Sequence, residues 1–243
     1  MRLIFLPTLR CNMRCEYCYE RIIAEKEHFS EIDYKKWLEL FEKLPPSVII
    51  ISGGEPTIYP NFIKLVNNLP KKHLVSLTTN LTASEDFYNK IRREFINITC
   101  SMHKSMVNDD FFKKTGILQK LSMTPVVLNF VDYPKQQNLI HIYRDYAVTK
   151  NFQFHLEPYI DISELKKSKN KKSCFAGKDY CMILPNGDVW RCNTAFCYHY
   201  YIEPCQEYFM GNVFSPEFKF LAEEKTCDIE CKHGCDLDFV GRI

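Results

Sequence analysis

Cys11, Cys15 and Cys18 stand close together in the run Cys11-Asn12-Met13-Arg14-Cys15-Glu16-Tyr17-Cys18, a C-x3-C-x2-C spacing. Thiolates are soft, anionic metal ligands, and three on so short a loop can wrap one corner of an iron–sulfur cube. Ordinary cubane sites use four cysteines, so three leave one iron open to a cofactor or substrate. Catalytic zinc sites keep a coordination position free by the same logic. A zinc knuckle is the competing reading. It wants a fourth Cys or His nearby, and the nearest one downstream, His28, lies ten residues beyond Cys18.

The chain has twelve cysteines in 243 residues, which in a short secreted protein would signal disulfides. The opening Met1-Arg2-Leu3-Ile4-Phe5-Leu6 lacks the full apolar stretch and the small-residue cleavage site of a signal peptide, and reads as a first strand. No stretch is apolar for long enough to span a membrane. A cytoplasmic location is therefore the default expectation, and clustered thiols there are expected to bind metal. The net charge of +2 gives no ground for a nucleic-acid partner. The one basic run, Lys166 to Lys172, reads as a solvated linker.

Elements that position the triplet follow from hydrophobic patterning. Short apolar runs at Leu3–Leu6, Val48–Ile51, Leu74–Leu77, Ile96–Ser101, Pro125–Val131 and Phe152–Leu156 suit buried strands. Between them lie helical patterns at Ile32–Leu44, Phe62–Leu69, Ser84–Phe95, Asp109–Leu121 and Leu139–Thr149, the first with Ser30 and Asp33 as a capping box. Such alternation predicts a parallel α/β sheet. Six units are too few to close an eight-unit barrel, so a partial, open (β/α)6 barrel is expected, with ligands at the carboxyl ends of its strands. Chemical motifs do follow the predicted strands. The triplet comes after the first, and Ile51-Ser52-Gly53-Gly54-Glu55-Pro56 after the second. Glycines let backbone approach a ligand closely, and a carboxylate can pair with an ammonium. Thr78-Thr79-Asn80 ends the third strand, and Ser101 and His103 the fourth. The pattern changes after residue 162, so the expected division is 1–162 for the barrel and 163–243 for a small, cysteine-rich C-terminal domain.

Cys11–Cys18, with the aromatic Tyr17 just before the third cysteine, resembles the signature of the radical S-adenosylmethionine (SAM) superfamily. The resemblance covers roughly residues 1–160. It implies a partial (β/α)6 TIM barrel, a [4Fe-4S] cluster on Cys11, Cys15 and Cys18, and SAM at the open iron. It also implies cofactor-binding roles for Tyr17, Gly53, Gly54, Glu55, Thr79, Asn80, Ser101, His103 and, more weakly, Asn129. Cys174, Cys192, Cys227, Cys231 and Cys235, with Pro185-Asn186-Gly187 as a hairpin turn, resemble the twitch domain, a shortened relative of the SPASM domain that holds an auxiliary [4Fe-4S] cluster. A hairpin placing two thiols and a C-terminal cysteine segment supplying two more would make a four-thiolate site. The preferred set is Cys174, Cys192, Cys231 and Cys235, with Cys227 or Cys181 as substitutes and structural zinc as the alternative. The C-x2-C pair of the full SPASM pattern is missing, although Cys181, Cys197, Cys205 and Cys227 leave a second auxiliary cluster open. Cys100 reads as plain core.

What the resemblance implies for function is reductive cleavage of SAM and removal of a hydrogen atom from a substrate, with the electron supplied by a flavodoxin or ferredoxin. An auxiliary cluster would make a two-electron oxidation of a small polar metabolite, a sugar or aminocyclitol, the leading expectation. The triplet begins at residue 11, so no preceding peptide-recognition domain is expected. A peptide-modifying enzyme is the runner-up. A zinc- or cluster-binding module or an electron carrier is the non-enzymatic alternative. For a base, Glu157 comes first, with His155 expected on the opposite strand face, and Asp132 and Tyr159 behind them.

Overall fold

The computed structural model describes residues 1–103, 107–221 and 223–231. The chain begins with β1 (Arg2–Phe5), then α1 (Tyr19–Lys26), α2 (Tyr34–Lys43) and β2 (Val48–Ile51). Four further strand–helix steps follow: α3 (Phe62–Asn68), β3 (Leu74–Thr79), α4 (Glu85–Tyr88), β4 (Asn97–Ser101), α5 (Asp109–Gln119), β5 (Val127–Asp132), α6 (Ile140–Thr149) and β6 (Gln153–Pro158). Strands β1 to β6 are parallel and adjacent in chain order, each joined to the next by a crossover. The barrel is partial: the sheet runs on past β1 and remains open at β6.

Local chemistry explains most boundaries. In β2, Val48-Ile49-Ile50-Ile51 is β-branched throughout and buried or half-buried along its length. Helix α2 buries Trp37 and Phe41, one turn apart, against Phe5. Asp33 caps it alone, accepting from the Lys35 N–H at 2.9 Å, so the Ser30–Asp33 capping box does not form and the helix starts later than expected. Helix α1 was not anticipated. The expected Ser84–Phe95 helix shrinks to α4, because the chain beyond it is drawn into tertiary hydrogen bonds: Phe95 N–H donates to Leu121 O (2.8 Å) and Ile96 N–H to Val75 O (2.8 Å).

The C-terminal third contains β7 (Lys167–Cys174), β8 (Tyr180–Ile183), β9 (Asp188–Trp190), α7 (Asn193–Tyr201), β10 (Phe209–Asn212) and β11 (Lys225–Ile229). The basic run is a correction to the linker reading, since most of it forms β7, exposed but paired antiparallel with β11. Strand β8 joins β1 in parallel, and β9 and β10 continue antiparallel, giving the order β10-β9-β8-β1-β2-β3-β4-β5-β6. The expected hairpin forms β8 and β9, with Gly187 at φ +88° in its turn.

Two cores lie on opposite faces of this sheet. One gathers Leu3, Phe5, Trp37, Ile49 and Ile51 under the helices. The other gathers Leu6, Leu9, Ile23, Trp190 and Phe196 around α1 and α7. Strand β8 serves both by its two-residue period: Tyr180 and Met182 face the second core, Cys181 and Ile183 the first. Arg191 staples the β11 ribbon to this assembly. Its buried guanidinium donates to the carbonyls of Ala176 (3.0 Å), Thr226 (3.0 Å) and Lys225 (3.1 Å). No helix among the described residues is long and apolar enough to cross a membrane.

Candidate active site

The loop leaving β1 carries the triplet, and the segment after β2 holds it by backbone. Gly54 N–H donates to Thr8 O (3.1 Å) and Glu55 N–H to Arg10 O (2.8 Å). The approach is so close that a Cβ on Gly53 would lie 2.4 Å from Thr8 O, and one on Gly54 2.1 Å from Arg10 O. Gly53 also sits at φ +120°. The Gly-Gly pair is therefore demanded by the chain's own backbone, next to Cys11. From the other side, Glu31 clamps the loop. It accepts two hydrogen bonds from the Arg10 guanidinium (2.7 and 2.8 Å) and one from the Thr8 hydroxyl.

Glu55 points inward and is fully buried. Its Oε1 accepts from Thr57 N–H (3.0 Å), the Thr57 hydroxyl (2.6 Å) and the Thr79 hydroxyl (2.9 Å), while Oε2 accepts from Asn80 N–H (2.7 Å). Burial pushes its carboxyl above the ordinary range, and these four donors oppose that shift. The carboxylate thus ties the end of β3 to the end of β2. Asn80, so fixed, turns its amide to Asn12 Oδ1 (3.1 Å) and Cys11 Sγ (3.7 Å). Thr82 closes the network, donating to Asn80 Oδ1 (2.6 Å) and accepting from Asn12 Nδ2 (2.8 Å). Glu31, Asn12 and Thr82 were missed from sequence. Only Asn12, inside the triplet, carried any positional hint.

The three thiols are electrostatic neighbours: Cys15 acts on Cys11, and both act on Cys18. Burial pushes all three up, Cys18 to about 12. Cys18 is also the N-cap residue of α1. Cys15 Sγ lies 3.4 Å from His103 Nδ1, and the Tyr17 hydroxyl lies 3.0 Å from the same nitrogen. Burial lowers the His103 pKa to about 4, so the ring is neutral at physiological pH. Among the described residues no three Cys, His, Asp or Glu side chains converge as the donors of one metal ion must. A cubane asks for looser convergence, because each thiolate binds a different iron, and a loop presenting three neighbouring thiols suits it.

The model that describes the radical SAM superfamily matches residues 5–106, which span the triplet and the Gly-Gly-Glu-Pro segment. Residues 5–106 thus carry a radical SAM match. Cofactors of this superfamily are a [4Fe-4S] cluster and SAM, and the triplet's chemistry fits the cluster. Among relatives, a cofactor-modifying protein of the tungsten-containing aldehyde ferredoxin oxidoreductase of Pyrococcus furiosus is 33% identical over 93 residues, 35% of this chain and 26% of its own. A probable GTP 3',8-cyclase of Methanothermobacter thermautotrophicus is 24% identical over 196 residues, covering 73% of this chain and 62% of its own. SuiB of Streptococcus suis, solved with its precursor peptide SuiA, superposes with a TM-score of 0.62 at 14% identity, covering 83% of this chain and 61% of that one. The chain therefore spans less than two thirds of each of these three proteins.

In this chain, the polar residues expected at strand ends fall into one row. Ser101, Asn129 and His155 are in register across β4, β5 and β6. Leu128 and Phe130 enter the helix-side core, so Asn129 faces the other way. Its Oδ1 is buried without a hydrogen-bond partner among the described residues. His155 and Glu157 correct the expectation of opposite faces: residues two apart on a strand share a face, and His155 Nε2 lies 3.1 Å from Glu157 Oε2. Asp132 ends β5, and the Tyr159 ring packs 5.1 Å from Tyr133. An open groove of about 540 Å³ adjoins the triplet, lined in part by Cys15, Tyr17, His103, Tyr133, Lys135 and Gln136. Its rim pair Lys135–Glu16 (2.6 Å) is exposed and adds little stability.

The second cysteine set is more dispersed. Cys174 and Cys227 meet across β7 and β11, and the Cys174 contact together with burial raises the Cys227 pKa. Cys192 is the N-cap residue of α7, its sulfur accepting from Ala195 N–H at 3.3 Å. Cys231 is exposed, and Cys235 lies outside the described residues. Cys181 sits in the opposite core, with burial raising its pKa to about 12, and Cys100 is also fully buried there. The two cysteine regions also touch: Asn193 Nδ2 donates to the Tyr19 hydroxyl at 2.6 Å, one residue after Cys192 and Cys18 respectively.

Proposed function

We propose that this chain is an oxidoreductase that cleaves SAM reductively and takes a hydrogen atom from a small polar substrate of sugar or aminocyclitol type. When bound, the cluster and SAM supply a 5'-deoxyadenosyl radical, chemistry that no amino-acid side chain provides. The chain's own residues bind, orient and shield. Cys11, Cys15 and Cys18 are the proposed ligands and would hold the cluster with a position left open to SAM. Glu55 acts through Thr79 and Asn80, which it holds against the triplet loop. Asn129 Oδ1 offers an open acceptor to a hydroxyl or ammonium of SAM or substrate. Glu157, steadied by His155, is the proposed proton acceptor. A flavodoxin or ferredoxin is the proposed electron donor.

Residues 163–243 are proposed to hold one auxiliary [4Fe-4S] cluster beside the barrel of residues 1–162, with Cys174 as a ligand. The closeness of Cys227 to Cys174 favours Cys227 as a further ligand, beside Cys192, Cys231 and Cys235. The observation that carries the reading is the triplet at the carboxyl end of β1, locked there by Gly54, Glu55 and Asn80. The groove's volume falls in the range of small-ligand sites, which favours a small substrate. A peptide substrate is the second reading, supported by the likeness to SuiB, whose structure holds a precursor peptide.

Anaerobic reconstitution with iron and sulfide, followed by SAM and dithionite, is the test. The proposed enzyme releases 5'-deoxyadenosine, and deuterium passes into it from the right labelled metabolite. Intact SAM beside a fully formed cluster would leave an electron carrier. One tightly held zinc would leave a structural module.

A further inference from the structure

We propose that Tyr17, His103 and Gln136 form a hydrogen-bond relay onto the Cys15 sulfur, positioning residues that set the reduction potential of the cluster held by the triplet. The inference rests on the reading of the triplet as a cluster site.

Three groups form a triangle at Cys15. His103 Nδ1 is 3.4 Å from Cys15 Sγ and 3.0 Å from the Tyr17 hydroxyl, and that hydroxyl also reaches the Cys15 sulfur. Behind them lies Gln136, 6% exposed, whose Nε2 donates to Val131 O at 2.7 Å and whose side chain also reaches the Tyr17 hydroxyl. The tyrosine and histidine rings are stacked with centroids 6.5 Å apart, which holds the triangle in shape.

An iron-bound thiolate carries no proton, so it can only accept. One arrangement then satisfies the relay: Gln136 N–H and His103 Nδ1–H both donate to the Tyr17 oxygen, and the Tyr17 O–H donates to Cys15 Sγ. In the alternative, Nδ1–H donates to the sulfur directly. Both place a side-chain hydrogen bond on Cys15. Both engage the Nδ1 nitrogen of His103.

The other two sulfurs are treated differently. Cys11 accepts from the Met13 backbone N–H at 3.4 Å and receives a long side-chain contact from Asn80 Nδ2 at 3.7 Å. Cys18 is met by backbone, through the N–H of Arg21. Hydrogen bonds to ligating sulfurs are among the levers that set a cluster's potential. A donor withdraws charge from the thiolate and favours the reduced, more negative cluster. Losing it makes reduction harder.

The experiment is a redox titration of the reconstituted cluster without SAM, followed by electron paramagnetic resonance, in the wild type, Tyr17→Phe, His103→Leu and His103→Asn. Loss of the group that donates to the sulfur, Tyr17 in the first arrangement and His103 in the second, is expected to make the cluster about tenfold harder to reduce, a fall of about 59 mV for a one-electron couple. His103→Asn keeps an amide donor and recovers part of the shift. Unchanged potentials in both donor-deleted variants, with full iron and sulfide content, overturn the relay. A wild-type chain that takes up no cluster overturns the underlying reading of the triplet instead.

Discussion

Replacing Gly54 with alanine tests whether the Gly-Gly pair answers to the chain's own backbone. The added methyl would lie 2.1 Å from Arg10 O, 2.5 Å from Arg10 C and 2.5 Å from Leu9 O. All three are main-chain atoms, so no rotamer change relieves the overlap. A carbon–oxygen contact relaxes near about 3.3 Å, so the loop before Cys11 must retreat by about 1 Å. That movement breaks or stretches two hydrogen bonds, Gly54 N–H to Thr8 O and Glu55 N–H to Arg10 O. Each contributes about 1 kcal/mol, and overpacking adds about 1–3 kcal/mol. The expected loss is about 3–5 kcal/mol in urea denaturation of the metal-free chain. Gly116 is the internal control. It lies within α5 with nothing within 4 Å of its added Cβ, so Gly116→Ala should stabilise by up to about 1 kcal/mol. A Gly54→Ala chain within about 0.5 kcal/mol of the wild type would refute this account of the pair.

Two further substitutions probe what holds the site together. Glu55→Gln sets an amide N–H against either the Asn80 N–H or the threonine donors, so a loss of about 1–3 kcal/mol is expected together with weaker iron retention. Equal denaturation midpoints would contradict the four-donor network. Arg191→Met strips three backbone carbonyls of their donor, which should cost at least about 3 kcal/mol. It should also speed limited proteolysis near Lys225, and unchanged cleavage there would mean that the staple is dispensable.

The parallel sheet was legible because its signals are local. Val48-Ile49-Ile50-Ile51 is β-branched and bounded by turn residues, and the Pro185-Asn186-Gly187 turn announces its own hairpin. What the hairpin pairs with was not legible, since the contact of β8 with β1 joins residues nearly 180 positions apart. The Gly-Gly-Glu-Pro motif could be seen, but not its partners. The carbonyls of Thr8 and Arg10 leave no mark on sequence, and Glu55 reads equally well as a ligand-facing or an inward carboxylate. For His155 and Glu157 the needed rule was available: a two-residue period places them on one face. Among the later cysteines, spacing alone does not report proximity. Cys174 meets Cys227 only through the pairing of β7 with β11, which a run of exposed lysines concealed as a linker.

The central claim is a cluster held by three thiolates with one iron left for SAM. The most direct test is pulsed electron–nuclear double resonance on the reduced, reconstituted chain, with SAM labelled by ¹⁵N in its amino group and ¹⁷O in its carboxylate. The account predicts couplings from both labels, lost together in Cys15→Ala. Couplings from a histidine nitrogen in place of the labels would contradict it.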